Sequence, residues 1–206
     1  MTTPVAASSP DRSAGNRVVI AGLVVWLALA AFVTASGVPQ KLTPPVPQII
    51  IVAITAALIA LGRVYSPLRV WTQTVDWRGL VGLHLFRAVA GAGFLYAASR
   101  GTLPRQFAEM AGYGDIAVAV LAFGVMVLVA PAKSVAPRVY ALWNTIGLID
   151  IMLVVVSAAR AAIASPSSMA ELLRLPFALL PLFYVPLVIA SHVWLFGRLM
   201  ERMRSR

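Results

Sequence analysis

Six apolar stretches run through this chain, at about 18–36, 46–62, 79–98, 113–130, 139–158 and 177–198, with short polar or proline-bearing connections between them. Each approaches the ~17–25 residues a helix needs to cross about 30 Å of hydrocarbon. The pattern predicts an all-α, polytopic integral membrane protein whose single domain (18–198) is a six-transmembrane-helix bundle. Pro44, Pro45 and Pro47 before the second stretch and Pro131 after the fourth fix helix ends, because proline denies the helix a backbone donor. The first stretch is longer than the apolar core of a secretion signal, so the small residues around Ala35 read as part of an uncleaved helix.

Segments outside the stretches carry their own signals. Residues 1–17 are small, polar and proline-containing, which predicts a disordered cytoplasmic tail, and 199–206 form a basic one. Residues 99–112 set Phe107 and Met110 among polar neighbours, as in an interfacial half-turn outside the membrane. Residues 165–175 begin with Ser165 as a cap and Pro166 as a first helical residue, and place Met169, Leu172 and Leu173 on one face of a short surface helix. Pro176, Pro181 and Pro186 bend the sixth stretch and free carbonyls that a neighbour, water or a cation must satisfy.

Composition agrees with the pattern: 60% of residues are hydrophobic and 12% charged, with a mean hydropathy of +0.87. A soluble domain of this length needs more polar surface than that. With no cysteine, disulfides, thiolate metal sites and a cysteine nucleophile are excluded. The net charge is +10, and of the 17 basic residues the side holding both termini carries eleven and the other side five, Lys41, Arg100, Arg105, Arg160 and Arg174, with Arg87 inside a span. The positive-inside rule therefore places both termini in the cytoplasm, although the tails supply the whole bias. The basic C-terminal run reads as an anchor touching anionic lipid, and no soluble domain is present to offer a nucleic-acid surface.

The candidate chemistry is the set of polar groups inside the spans. His84 and His192, the two histidines of the chain, fall about 8–9 Å below the same boundary by helical rise. Arg87 lies one turn from His84, so its guanidinium is expected near that ring; Asn144 enters at similar depth, and Asp150 lies deeper as the counter-ion Arg87 requires. Gly82, Gly91, Gly93 and Gly147 permit close backbone approach.

Several readings share this constellation. Arg87 and Asp150 can be bundle glue in a structural or accessory membrane protein. His84, Arg87, Asn144, Asp150 and His192 can line a cavity that binds or translocates a small ligand, ion or proton, with Arg87 holding an anion. His84 and His192 can be the axial ligands of a b-type haem between glycine-rich helices. A zinc or copper site is weaker, because the histidines lack i, i+4 spacing. Gly112-Tyr113-Gly114-Asp115 resembles the GxGD motif of intramembrane aspartyl proteases, which implies Asp115 and a second aspartate, here Asp150, sharing a proton to activate water. The Tyr-Asp pair those families carry on the preceding helix is missing, and Asp115 reads more plainly as a cap or loop residue near the outer boundary. Nucleotide-binding fingerprints, a Ser-His-Asp order and an HExxH run are all missing.

The stretches LPRQFAEMAGYGD (103–115), LWNTIGLIDIMLVVVSA (142–158) and LPFALLPLFYVPLVIASHVWLF (175–196), with HLFR at 84–87, resemble a set of small uncharacterised bacterial six-helix inner-membrane proteins. That resemblance spans residues 79–198 and implies a bacterial inner-membrane bundle, with no activity transferred. The expectation is a site at which His84, Arg87, Asp150 and His192 face one another and bind or pass a small species rather than make or break bonds.

Overall fold

A computed structural model describes residues 12–205, with side-chain surroundings from residue 15. Among these residues the chain is all-α: α1 (Arg12–Ala35), α2 (Val46–Val64), α3 (Ser66–Thr74), α4 (Trp77–Gly82), α5 (Arg87–Ser99), α6 (Arg105–Leu128), α7 (Ala136–Ala164) and α8 (Val185–Arg204). Six helical segments are long and apolar enough to cross a membrane, counting α4 and α5 with the turn between them as one span, Trp77–Ser99, and the last as Leu180–Arg204. The protein is a multi-pass membrane bundle. Its third and sixth spans are the most buried and form the centre, while α1 and α2 stand at the periphery.

Several boundaries differ from the sequence reading, and each difference has a local cause. Helix α1 starts at Arg12, so residues 12–17 are helical instead of tail; residues 1–11 of the expected tail lie outside the described residues. Residues 99–112 are not an interfacial half-turn. The chain reverses at Gly101, with φ +71° and a Thr102 N–H to Ala97 C=O bond of 3.0 Å, and α6 then starts at Arg105 behind Pro104. Arg105 and Glu109 pair on the outer face at 2.6 Å, while Phe107, Ala108 and Ala111 face inward. Phe107 meets Phe94 of α5 with ring centres 5.7 Å apart. Polar residues at i and i+4 had masked an inward stripe of helical period. Helix α3, which the sequence reading lacked, is a short amphipathic segment packed on α1 and α2.

The segment after α7 is a short 3-10 helix, Pro166–Leu173, with Met169 buried beneath it. Ser165 stands at its N-terminus but makes no side-chain cap. The last span opens with a π-helical turn, Leu180–Tyr184, before α8. Pro186 cannot donate to the carbonyl of Leu182 one turn earlier. That carbonyl accepts instead from Trp26 Nε1 of α1 at 3.0 Å, so a neighbouring helix satisfies the break.

Lipid tails are as apolar as the helices, so packing and hydrogen bonds hold such a bundle together rather than water exclusion. Helices α5 and α6 approach closely enough that a Cβ on Gly112 would lie 2.9 Å from the carbonyl oxygen of Gly91. Three apolar clusters fill the interior, one of them around Ile151, Tyr184, Val185 and Val188 between the fifth and sixth spans, and the other two toward the two ends of the bundle. Of these two, one lies toward the side of the termini, around Trp77, Leu80, Tyr140, Trp143, Leu195 and Leu199. The other lies toward the opposite side, around Phe94, Leu103, Phe107, Val154 and Met169. Between them lies a layer of buried polar groups.

Candidate functional site

The polar layer is assembled from the third, fourth, fifth and sixth spans. His84 comes from a 3-10 turn, Leu83–Phe86, that interrupts the third span between α4 and α5. The Leu83 carbonyl accepts from the Tyr184 hydroxyl at 2.9 Å. The 3-10 turn and the π turn are thus tied together, and irregular turns of both kinds recur at functional positions inside helices. His84, Arg87, Asn144, Ser191 and His192 are almost completely shielded.

Hydrogen bonds define the state of both imidazoles. Ser191 donates its hydroxyl hydrogen to the Val188 carbonyl at 2.7 Å, so toward His84 Nε2, 3.0 Å away, it accepts. Asn144 donates its amide to the His192 carbonyl at 3.1 Å, which turns its Oδ1 toward His192 Nδ1 at 2.8 Å. A neutral imidazole has one donor and one acceptor nitrogen, and the network selects the tautomer. The Asn144 amide places the His192 hydrogen on Nδ1, and with the Ser191 hydrogen on the Val188 carbonyl that of His84 lies on Nε2. The remaining nitrogens, His84 Nδ1 and His192 Nε2, are acceptors, and both are buried without a partner. The two rings lie 4.3 Å apart, centre to centre. Trp143 flanks both, at 4.9 Å from His84 and 5.7 Å from His192.

A charged cluster borders the pair. Arg87 donates from Nε to Asp115 at 2.6 Å, from one terminal nitrogen to the Gly147 carbonyl at 3.0 Å, and from the other to Asp150. Asp115 is thus a buried partner of Arg87 rather than a cap or loop residue near the boundary. The cause is the earlier start of α6, which puts Asp115 ten residues into the helix. The guanidinium reaches across to α6 and α7, not back to the His84 ring. Gly147 joins the two halves of the layer. Its carbonyl holds Arg87, and a Cβ at this position would lie 2.8 Å from Cε1 of His192. A Cβ on Gly114 would likewise collide with the Asp150 carboxylate.

This geometry sorts the sequence readings. His84, Arg87, Asn144, Asp150 and His192 do converge, and Asp115 and Ser191 join them. Asp115 announced itself in the sequence only through the GxGD resemblance, and Ser191 gave no signal of its own. Two carboxylates around one guanidinium leave the cluster with an excess of negative charge when both are ionised, so Arg87 is not a vacant anion holder. Asp115 and Asp150 converge as the protease resemblance implies, but the guanidinium stands between them where a dyad holds its shared proton and water.

The residues do not fit a haem between the histidines. Metal–imidazole bonds of about 2.0 Å on opposite sides of one iron hold ring centres about 6 Å apart with the macrocycle between them. The observed 4.3 Å separation leaves no such gap. Among the described residues, no three His, Asp or Glu side chains are grouped to hold a metal ion.

Fold and site together define a six-span membrane protein with a polar layer buried except at Asp150. The chain belongs to the family described as a domain of unknown function, DUF8737, whose model matches residues 44–200. All the polar-layer residues fall inside that match, and α1 falls outside it. No curated protein and no solved structure matches the chain.

Proposed function

We propose that this is a bacterial inner-membrane protein, with both termini cytoplasmic, whose buried layer accepts and releases protons as it moves a proton or a small hydrogen-bonding ligand across the bilayer. One observation carries the reading: two buried imidazole nitrogens, His84 Nδ1 and His192 Nε2, have no hydrogen-bond partner, on rings whose centres lie 4.3 Å apart. An unsatisfied buried acceptor costs about 1–3 kcal/mol, and this layer holds two of them. The Arg87 cluster alone has the makings of bundle glue, but glue leaves the two nitrogens unexplained.

Occlusion supports a carrier-like role. The histidines sit between the Trp77–Leu199 and Phe94–Met169 apolar clusters, with the half-buried Asp150 at the edge of the layer, so exchange of the imidazoles with either side requires one cluster to part. The irregular turns at Leu83–Phe86 and Leu180–Tyr184, linked through Tyr184, are the places where the central spans can bend. Ionisable groups so deep in a bilayer mark proton and substrate pathways. The basic residues beyond Arg198 would lie against anionic headgroups at the cytoplasmic face.

The test is proton flux into proteoliposomes loaded with a pH-sensitive dye under a clamped potential. Wild-type protein is expected to dissipate an imposed pH gradient, and His84→Gln and His192→Gln to slow it by about tenfold, each having lost one open lone pair. Flux equal to that of protein-free vesicles overturns the reading, as does flux unchanged in both variants.

A further inference from the structure

A second cavity lies on the side away from the termini, unconnected with the histidines in its lining. It occupies about 120 Å³ between α2, α5, α6, α7, the Pro166–Leu173 helix and the π turn, and it is partly open to the surface. Of the side chains that line it, Gln48 alone is polar; Ile51, Phe94, Val154, Ala158 and Phe177 are typical of the rest. The Oε1 atom of Gln48 is buried without a hydrogen-bond partner.

The chemistry of the walls selects the occupant. A buried water needs two to four polar partners, and this cavity offers one, so water does not settle there. A cavity of about 150 Å³ with apolar walls is large enough for a six-carbon ring, so a run of several methylenes fits here. Gln48 is the third residue of α2, at the end of the second span, where the bilayer passes from hydrocarbon to polar headgroups. An occupant that matches both features has an apolar chain and, at its polar end, one hydrogen-bond donor.

We propose that this cavity binds the polar end of a long-chain membrane amphiphile through a hydroxyl that donates to Gln48 Oε1, with the proximal carbons against Val154, Ala158 and Phe177 and the remaining chain in the bilayer. The amide carbonyl selects for the donor. The apolar walls set the orientation.

The experiment uses the full chain in lipid nanodiscs with two photoactivatable probes, a diazirine-bearing sixteen-carbon alcohol and its methyl ether, which keeps the chain and lacks the donor. Sites of labelling are mapped by mass spectrometry. The alcohol is expected to label the 154–162 segment of α7 saturably, with an apparent affinity about tenfold above the ether, the factor one hydrogen bond supplies. Gln48→Leu should bring the alcohol down to the ether's level without changing the ether, and Ala158→Phe should abolish labelling by both by filling the cavity. Equal labelling by alcohol and ether in wild type overturns the proposal. So does non-saturable labelling spread evenly over the lipid-facing helices, or labelling in Ala158→Phe equal to wild type. Proton flux through Gln48→Leu should match wild type, since Gln48 touches no member of the polar layer.

Discussion

The imidazoles of His84 and His192 stand ring to ring, 4.3 Å apart, and each is held by a different partner through a different nitrogen. Ser191 fixes His84 through Nε2, and Asn144 fixes His192 through Nδ1. With the Ser191 hydroxyl hydrogen on the Val188 carbonyl, the rings are opposite tautomers and the nitrogens left over are both acceptors. A buried acceptor without a partner is satisfied by bringing in a donor, and the simplest donor is a proton.

Charge balance around Arg87 gives the first prediction. Arg87→Met leaves Asp115 and Asp150 buried without a cation and should destabilise the bundle by about 3–5 kcal/mol. The combined variant Arg87→Met, Asp115→Leu, Asp150→Leu removes all three charges and should recover most of that loss. Denaturation midpoints in mixed detergent micelles check both. A single variant no less stable than the combined one would contradict the pairing.

Gly147 tests the close fit of α7 on His192. A Cβ there lies 2.8 Å from Cε1 of the ring, so Gly147→Ala should cost about 1–3 kcal/mol through overpacking. Gly22→Ala on α1, where a Cβ would meet nothing within 4 Å, should stay within about 0.5 kcal/mol. The same denaturation series measures both.

Trp26 carries α1's hydrogen bond to the sixth span. Trp26→Phe keeps a ring against Phe183, whose centre is 4.6 Å away, and removes the donor to the Leu182 carbonyl. A loss of about 1 kcal/mol is expected, together with faster amide exchange over 182–187, read by hydrogen–deuterium exchange. Unchanged exchange across that turn would show that α1 does not support it.

Much of this fold was legible in the sequence because hydrocarbon thickness imposes a length on every span. Prolines marked the irregular start of the last span, where a π turn precedes α8, and the depth argument brought His84, Asn144 and His192 to one level, where they meet. What escaped had physical causes. The start of α6 was hidden because Arg105 and Glu109 gave residues 103–112 an interfacial look while Phe107 and Ala111 carried the inward face. That error of eight residues moved Asp115 from the bundle centre to its edge, so the second carboxylate on Arg87 was read as a cap. The break at Leu83–Phe86 leaves no mark of its own in the 79–98 stretch, since a 3-10 turn needs no special residue. Tautomers depend on which ring nitrogen meets an acceptor, and only the assembled helices reveal that Ser191 meets Nε2 of His84 while Asn144 meets Nδ1 of His192.

The most direct test of the central claim is the nitrogen spectrum of the imidazoles. With two histidines in the chain, protein labelled with nitrogen-15 in the histidine rings and placed in lipid bilayers gives a spectrum that His84→Gln assigns at once. The account predicts one ring protonated on Nε2 and the other on Nδ1, each with its remaining nitrogen bare, and those bare nitrogens taking up the proton when the sample is acidified. Two rings in the same tautomer, or no bare nitrogen in either, would contradict it.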